Sequence, residues 1–170
     1  MPERTAFVRF RKALVARNLD ARLFDAVPAQ LEAKGVVVKT GTLIGATVLP
    51  SASIGNDEAR WVGHRRKKPV HDYEAHVSSN AETDIVRRVA VTTAIMHDLE
   101  NAEEVLPEDP GDVYADTAYA AHRFEQVIMA RGGRPRIVQR SIWGKDPDAV
   151  DRWNVPIRRV LCLIEKIFGT

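Results

Sequence analysis

Two carboxylates stand where chemistry could be done. Asp116 ends the apolar run Val113-Tyr114-Ala115, and strand ends are where α/β sheets present functional side chains. Glu165 lies inside Leu163-Ile164-Glu165-Lys166-Ile167-Phe168, an acid embedded in an apolar helical stretch. Carboxylates from a strand end and a helix can hold Mg²⁺ or Mn²⁺, which activates an attacking oxygen and stabilises a leaving one in phosphodiester chemistry. A weaker candidate is His97-Asp98, a pair of the kind that ligates metal in phosphohydrolases, with His64, His71, His76 and His122 as further donors. Such phosphohydrolases are all-helical, which this chain is not, so a helix cap is the preferred reading of His97-Asp98. There is no Gly-rich phosphate loop, no Ser-centred elbow and no Cys nucleophile motif. Cys162 sits among Val160, Leu161, Leu163 and Ile164, which predicts a buried, inert thiol. Trp61, Trp143 and Trp153 each lie near basic residues; partial burial is preferred to base stacking.

The elements that must position these groups follow from periodicity and turn chemistry. Phe7, Phe10, Leu14 and Val15 share a helical spacing over residues 6–17, as do Leu23, Phe24, Val27 and Leu31 over 19–34, with Asp20 as the expected N-cap. Val36-Val37-Val38 and Thr42 to Leu49 read as strand, turning at Pro50. Residues 51–69 read as loop, while 71–78 and 85–92 form an expected hairpin around Ser79-Asn80. A short helix over 99–106, a turn at Asp109-Pro110-Gly111 and a strand at 113–115 follow. Helix 120–131 is closed by Gly132-Gly133, then comes a strand at 136–138 and a last helical stretch over 148–168, interrupted near Pro156. The sum is an α/β domain with a mixed sheet.

Composition sets the outer bounds. The chain has 170 residues, 45% of them apolar, enough for one domain that folds without staples. A single cysteine excludes an internal disulfide and a Cys-based zinc site and suits a reducing, cytoplasmic setting. No apolar run is long enough to span a bilayer, and the first residues lack a signal-peptide layout. The net charge of +2 conceals segregation. Five basic residues lie between Arg60 and Lys68 with no acid among them, and six between Arg123 and Lys145 with only Glu125. Between these segments, Asp98 to Asp116 carries eight acids and no Lys or Arg. Such blocks are ordinary solvated faces or, on the sharper reading, a polyanion-binding surface around an acidic centre.

Five ordered blocks then give a resemblance. Leu23-Phe24-Asp25-Ala26-Val27-Pro28-Ala29-Gln30-Leu31, Gly41-Thr42-Leu43-Ile44-Gly45-Ala46-Thr47 and His71-Asp72-Tyr73-Glu74-Ala75-His76-Val77 come first. Gly111-Asp112-Val113-Tyr114-Ala115-Asp116-Thr117-Ala118-Tyr119 and Ile164-Glu165-Lys166-Ile167-Phe168-Gly169-Thr170 complete the set. Together they resemble the landmarks of bacterial insertion-sequence transposases with a DDE catalytic domain, over nearly the whole chain. The resemblance implies a ribonuclease H-like mixed sheet flanked by helices, with residues 1–40 a helical leader and 41–170 the catalytic core. In that fold an Asp on the first strand, an Asp after the fourth and a Glu on a later helix bind Mg²⁺ or Mn²⁺. Asp116 and Glu165 take the second and third places as catalytic and metal-binding residues. Such enzymes cut the ends of a mobile element and join them to target DNA by attack of the freed 3′-hydroxyl. Double-stranded DNA is therefore the implied partner, contacted through Arg60, Arg65, Arg66, Lys67, Lys68, Arg134, Arg136 and Arg140. A homodimer, or a mixed oligomer with full-length transposase, follows from the same resemblance, as does a cytoplasmic, nucleoid-associated location without membrane contact.

The chain departs from the family at its polar positions. Gly45 stands where the first Asp belongs, so one carboxylate of three is missing. Leu161 and Leu163 replace arginines, and Glu74 and Ile95 replace a Lys and an Asn. Against the family the core is trimmed at both ends, ending five residues past Glu165. These departures predict an impaired enzyme, or alternatively a non-catalytic DNA-binding remnant or inhibitor of full-length transposase. They also predict that Gly45→Asp increases metal affinity if strand and acids assemble.

Overall fold

The computed structural model describes residues 3–36, 41–50, 60–62, 70–93, 98–141, 144 and 146–169. The chain divides into two compact units, Met1–Val38 and Lys39–Thr170.

The first unit is a pair of helices, α1 (Arg4–Val15) and α2 (Asp20–Ala33). Asn18, at φ 50°, turns the chain between them. The N-cap of α2 is Leu19, with Asp20 in the first turn, where its charge meets the helix dipole rather than capping it by hydrogen bond. Gly35, at φ +69°, closes α2: its N–H donates to the Glu32 carbonyl and the Val36 N–H to that of Leu31. No residue of either helix is fully buried.

The second unit holds a mixed sheet. Among the described residues its strands are β1 (Thr42–Pro50), β2 (Arg60–Val62), β3 (Val70–Asn80), β4 (Val86–Thr93), β5 (Asp112–Ala115) and β6 (Arg134–Ile137). The sheet path runs β2-β3-β1-β5-β6, with β4 also on β3. Asp72 pairs with Pro50 of β1 on one side and Arg60 of β2 on the other, so β2 continues the edge that β4 occupies from Tyr73 onward. β3 runs antiparallel to its neighbours, whereas β1, β5 and β6 are mutually parallel. β2 falls within the 51–69 stretch that the sequence marks as loop; a three-residue strand is too short to show a period. Residues 37–40, 51–59, 63–69 and 94–97 lie outside the described residues, and Val36 belongs to no strand.

The helices of this unit are α3 (Asp98–Val105), α4 (His122–Ala130) and α5 (Pro147–Phe168). Ile44, Ala90, Val113, Ala115 and Ile137 pack with Ala102, Val105 and Leu106 of the α3 region and with Phe124 and Ile128 of α4 in one sealed cluster. At about 25 cal/mol per Å² of apolar surface, this layer is the main source of stability. α4 ends as the glycines predict: the Gly132 N–H donates to Met129 and the Gly133 N–H to Ile128, with Gly132 at φ +74°. Its start is two residues later than predicted, because Ala120 and the extended Ala121 leave the helical region after a 3₁₀ turn at 117–119.

α5 is continuous through Pro156, contrary to the predicted interruption. Pro156 sits on the exposed face, so the helix bond it cannot make is lost on the solvent side. The buried stripe of α5 is Val150, Asn154, Ile157 and Ile164. Asn154, 1% exposed, accepts the Gln139 N–H at 2.8 Å and donates to the Gln139 carbonyl at 2.9 Å, clamping the helix to the chain after β6. Beside it the Trp153 indole N–H donates to the Ile137 carbonyl at 2.9 Å. No helix among the described residues is long and apolar enough to cross a membrane.

Candidate active-site cleft

Register decides where the candidate residues meet. Leu43 of β1 pairs with Tyr114 of β5 in parallel, so two residues further Gly45 lies level with Asp116. Side chains alternate along a strand, and the odd positions of β1 and even positions of β5 share one face while Ile44 and Ala115 point into the sealed core. α5 covers that first face, and its Ile164 and Phe168 side chains reach Gly45.

One open cleft of about 640 Å³ results. Gly45, Ala46 and Thr47 of β1, Asp116 after β5, and Glu165 of α5 all line it, five residues drawn from three distant blocks of the chain. Glu74, Arg158, Leu161 and Cys162 complete the parts that carry chemistry or shape. Arg158, Cys162 and Glu165 follow one another at i, i+4 and i+7, one stripe of the helix.

The local structure of each group has a cause. Asp116 is exposed and extended, and its Oδ1 accepts the Thr117 N–H at 2.6 Å, capping the 3₁₀ turn and holding the carboxylate at the mouth of β5. Glu165 is exposed on α5 one turn before Gly169, whose φ of +75° terminates the helix. Glu74 keeps only 18% of its side chain exposed, with Oε2 3.9 Å from Nε2 of the fully buried His76. The His76 Nε2 in turn faces Thr92 Oγ1 and Asn101 Nδ2, each at 3.3 Å, a small polar network under the sheet.

Gly45 differs from the other positions. A Cβ built on it would stand 2.8 Å from Ile164 Cδ1 and 3.3 Å from Phe168 Cε2, so apolar atoms fill the space a side chain would need. The carboxylate oxygens of Asp116 and Glu165 are the right donors for a hard cation. At Gly45 the residues present do not fit a metal centre, because that position is a hydrocarbon contact.

No family model matches the chain, and no solved structure matches it at significance.

The basic residues singled out for DNA are distributed differently. Arg134 and Arg136 lie on β6 and both engage Asp112 of β5: Arg134 Nε to Oδ1 at 2.5 Å and Arg136 Nε to Oδ2 at 3.3 Å. Arg136 also stacks over Trp153, 5.7 Å from the ring centroid, which leaves that indole half-buried, as the sequence suggests. Arg140 is exposed just beyond β6. Arg60 is in β2, while Arg65, Arg66, Lys67 and Lys68 lie outside the described residues. His64, His97 and Trp143 also lie outside them, and His122 is exposed at the start of α4 beside Gln126.

One expectation is corrected outright. Cys162 is exposed and lines the cleft rather than lying buried and inert. Apolar neighbours in sequence are not neighbours on a helix: the buried stripe passes through Ile157 and Ile164, and Cys162 falls on its flank. Arg158 was missed altogether, although its spacing of seven from Glu165 was the available signal.

Proposed function

We propose that the second unit is a ribonuclease H-like DDE transposase core whose strand-cleaving chemistry is impaired at Gly45. The observation that carries this reading is the convergence of Gly45, Asp116 and Glu165 on one cleft. The sheet supports it as well: β1 is central, β3 is antiparallel to it, and Asp116 follows the fourth strand once the three-residue β2 is set aside. Asp116 and Glu165 would hold Mg²⁺ or Mn²⁺ through their carboxylate oxygens, and such an ion would supply charge neutralisation at a DNA phosphodiester. Glu74 and Arg158 shape the walls of the same cleft.

The packing at Gly45 also favours the alternative of a DNA-binding remnant that inhibits full-length transposase by mixed assembly, because it leaves a surface without a complete catalytic set. One assay tests what the two readings share, DNA binding without efficient cleavage. The chain is incubated with linear DNA carrying the sequences that flank its gene, in Mg²⁺ and in Mn²⁺, and both retention and nicking are read. Retention that falls steeply with salt, with little or no nicking, is expected. Robust cutting overturns the impairment, and absence of retention even at low salt overturns DNA as the partner.

A further inference from the structure

The contact made by Gly45 has a consequence beyond the loss of a carboxylate. Ile164 is 7% exposed and belongs to the buried stripe of α5, and its Cδ1 stands 2.8 Å from where a Cβ on Gly45 would be. Phe168, one turn on, reaches the same point at 3.3 Å. Glu165 sits between these two on α5, so the contact at Gly45 is the one nearest to it among those that hold the helix on the sheet. A glycine with φ in the ordinary strand region is not there for backbone freedom; Gly45 is absent from the positive-φ residues. A side chain there would have to turn the end of Ile164 aside and press on the Phe168 ring.

We infer that Gly45 and Ile164 form one packing pair that occupies the first-acid position, so that metal binding cannot be recovered by changing position 45 alone. This rests on the transposase reading of the cleft only for its metal half. Gly45 takes the branched end of Ile164, and the pair draws α5 down onto β1. An Asp introduced at 45 meets Ile164 Cδ1 before its carboxylate can face Asp116. Shortening Ile164 to Val removes that atom, the tightest contact, and leaves Phe168 Cε2 at 3.3 Å as the next.

The experiment measures thermal unfolding and Mn²⁺ calorimetry on the full chain carrying Gly45→Ala, Gly45→Asp, Ile164→Val and the two double variants. Gly45→Ala is expected to lower Tm by roughly 3–6 °C, as overpacking does in a domain of this size, and Ile164→Val to recover most of that loss. Strictly additive Tm changes overturn the pair. In the metal arm, Gly45→Asp with Ile164→Val is expected to bind Mn²⁺ roughly tenfold or more tightly than Gly45→Asp alone. Equal binding by the single variant overturns the inference. Coupled Tm changes with no Mn²⁺ binding by any variant leave the packing pair standing and remove the metal-centre reading of the cleft.

Discussion

The two faces of the central sheet are built from adjacent residues and have opposite characters. Ile44 and Ala115, at 1% and 0% exposure, point into the cluster of α3 and α4, while their neighbours Gly45 and Asp116 line the cleft beneath α5. One residue along a strand separates a core position from a candidate functional one. The first face resists change because it is closed by aliphatic and aromatic contacts. The second is held by the thin stripe of Val150, Ile157 and Ile164 together with the Asn154 clamp on Gln139, and is open enough to admit solvent and a ligand.

The largest expected effect breaks the closed face. Phe124 is 1% exposed and its ring centroid lies 6.2 Å from that of Tyr119, so Phe124→Ala should cost about 3–5 kcal/mol and lower the thermal midpoint of the whole second unit. Chemical denaturation followed by circular dichroism checks this. A loss under about 1 kcal/mol would mean that this face is not the stabilising layer.

Next comes the anchor of the open face. Asn154→Leu removes the side chain that holds the backbone N–H and carbonyl of Gln139 and should cost about 1–3 kcal/mol. Because the anchor lies eleven residues before Glu165 on one rigid helix, hydrogen exchange should rise along α5 while α3 and α4 stay protected. Uniform loosening of both faces would count against the division drawn between them.

How much of this was legible in the sequence follows the range of the interactions. The Gly132-Gly133 stop of α4 and the hairpin around Asn80, whose Oδ1 accepts the Glu82 and Thr83 N–H groups, are local events written in local residues. The strand ending at Asp116 was legible for the same reason. The exposure of Cys162, the passage of α5 through Pro156 and the Asn154 clamp were not, because each depends on which side of the helix meets the sheet. Gly45 could be read as a missing acid from its block, but not as a seat for Ile164, since that contact joins residues more than a hundred positions apart.

A smaller effect concerns Arg134, whose side chain is 74% exposed and paired with Asp112. Such pairs contribute about 0–1 kcal/mol, so Arg134→Ala should barely change stability. If the segment after β5 contacts DNA, the same variant should weaken retention at every sequence tested and reduce the slope of log affinity against log salt by about one charge. An unchanged salt slope would remove Arg134 from the DNA surface and leave it as a partner of Asp112 alone.

The smallest expected change in stability is also the one that most sharpens the contrast between the faces. Asp116→Asn keeps the side-chain oxygen that caps Thr117, and Asn is as good a cap as Asp, so folding should move by no more than about 0.5 kcal/mol. What it removes is negative charge at the mouth of β5. In the Gly45→Asp, Ile164→Val background, where the cleft has regained its third acid, Asp116→Asn should abolish the gain in Mn²⁺ affinity while leaving Tm in metal-free buffer unchanged. A residue kept for folding would give the reverse pattern, a lower Tm with metal affinity intact, and Asp116 would then be the cap of a turn and nothing more.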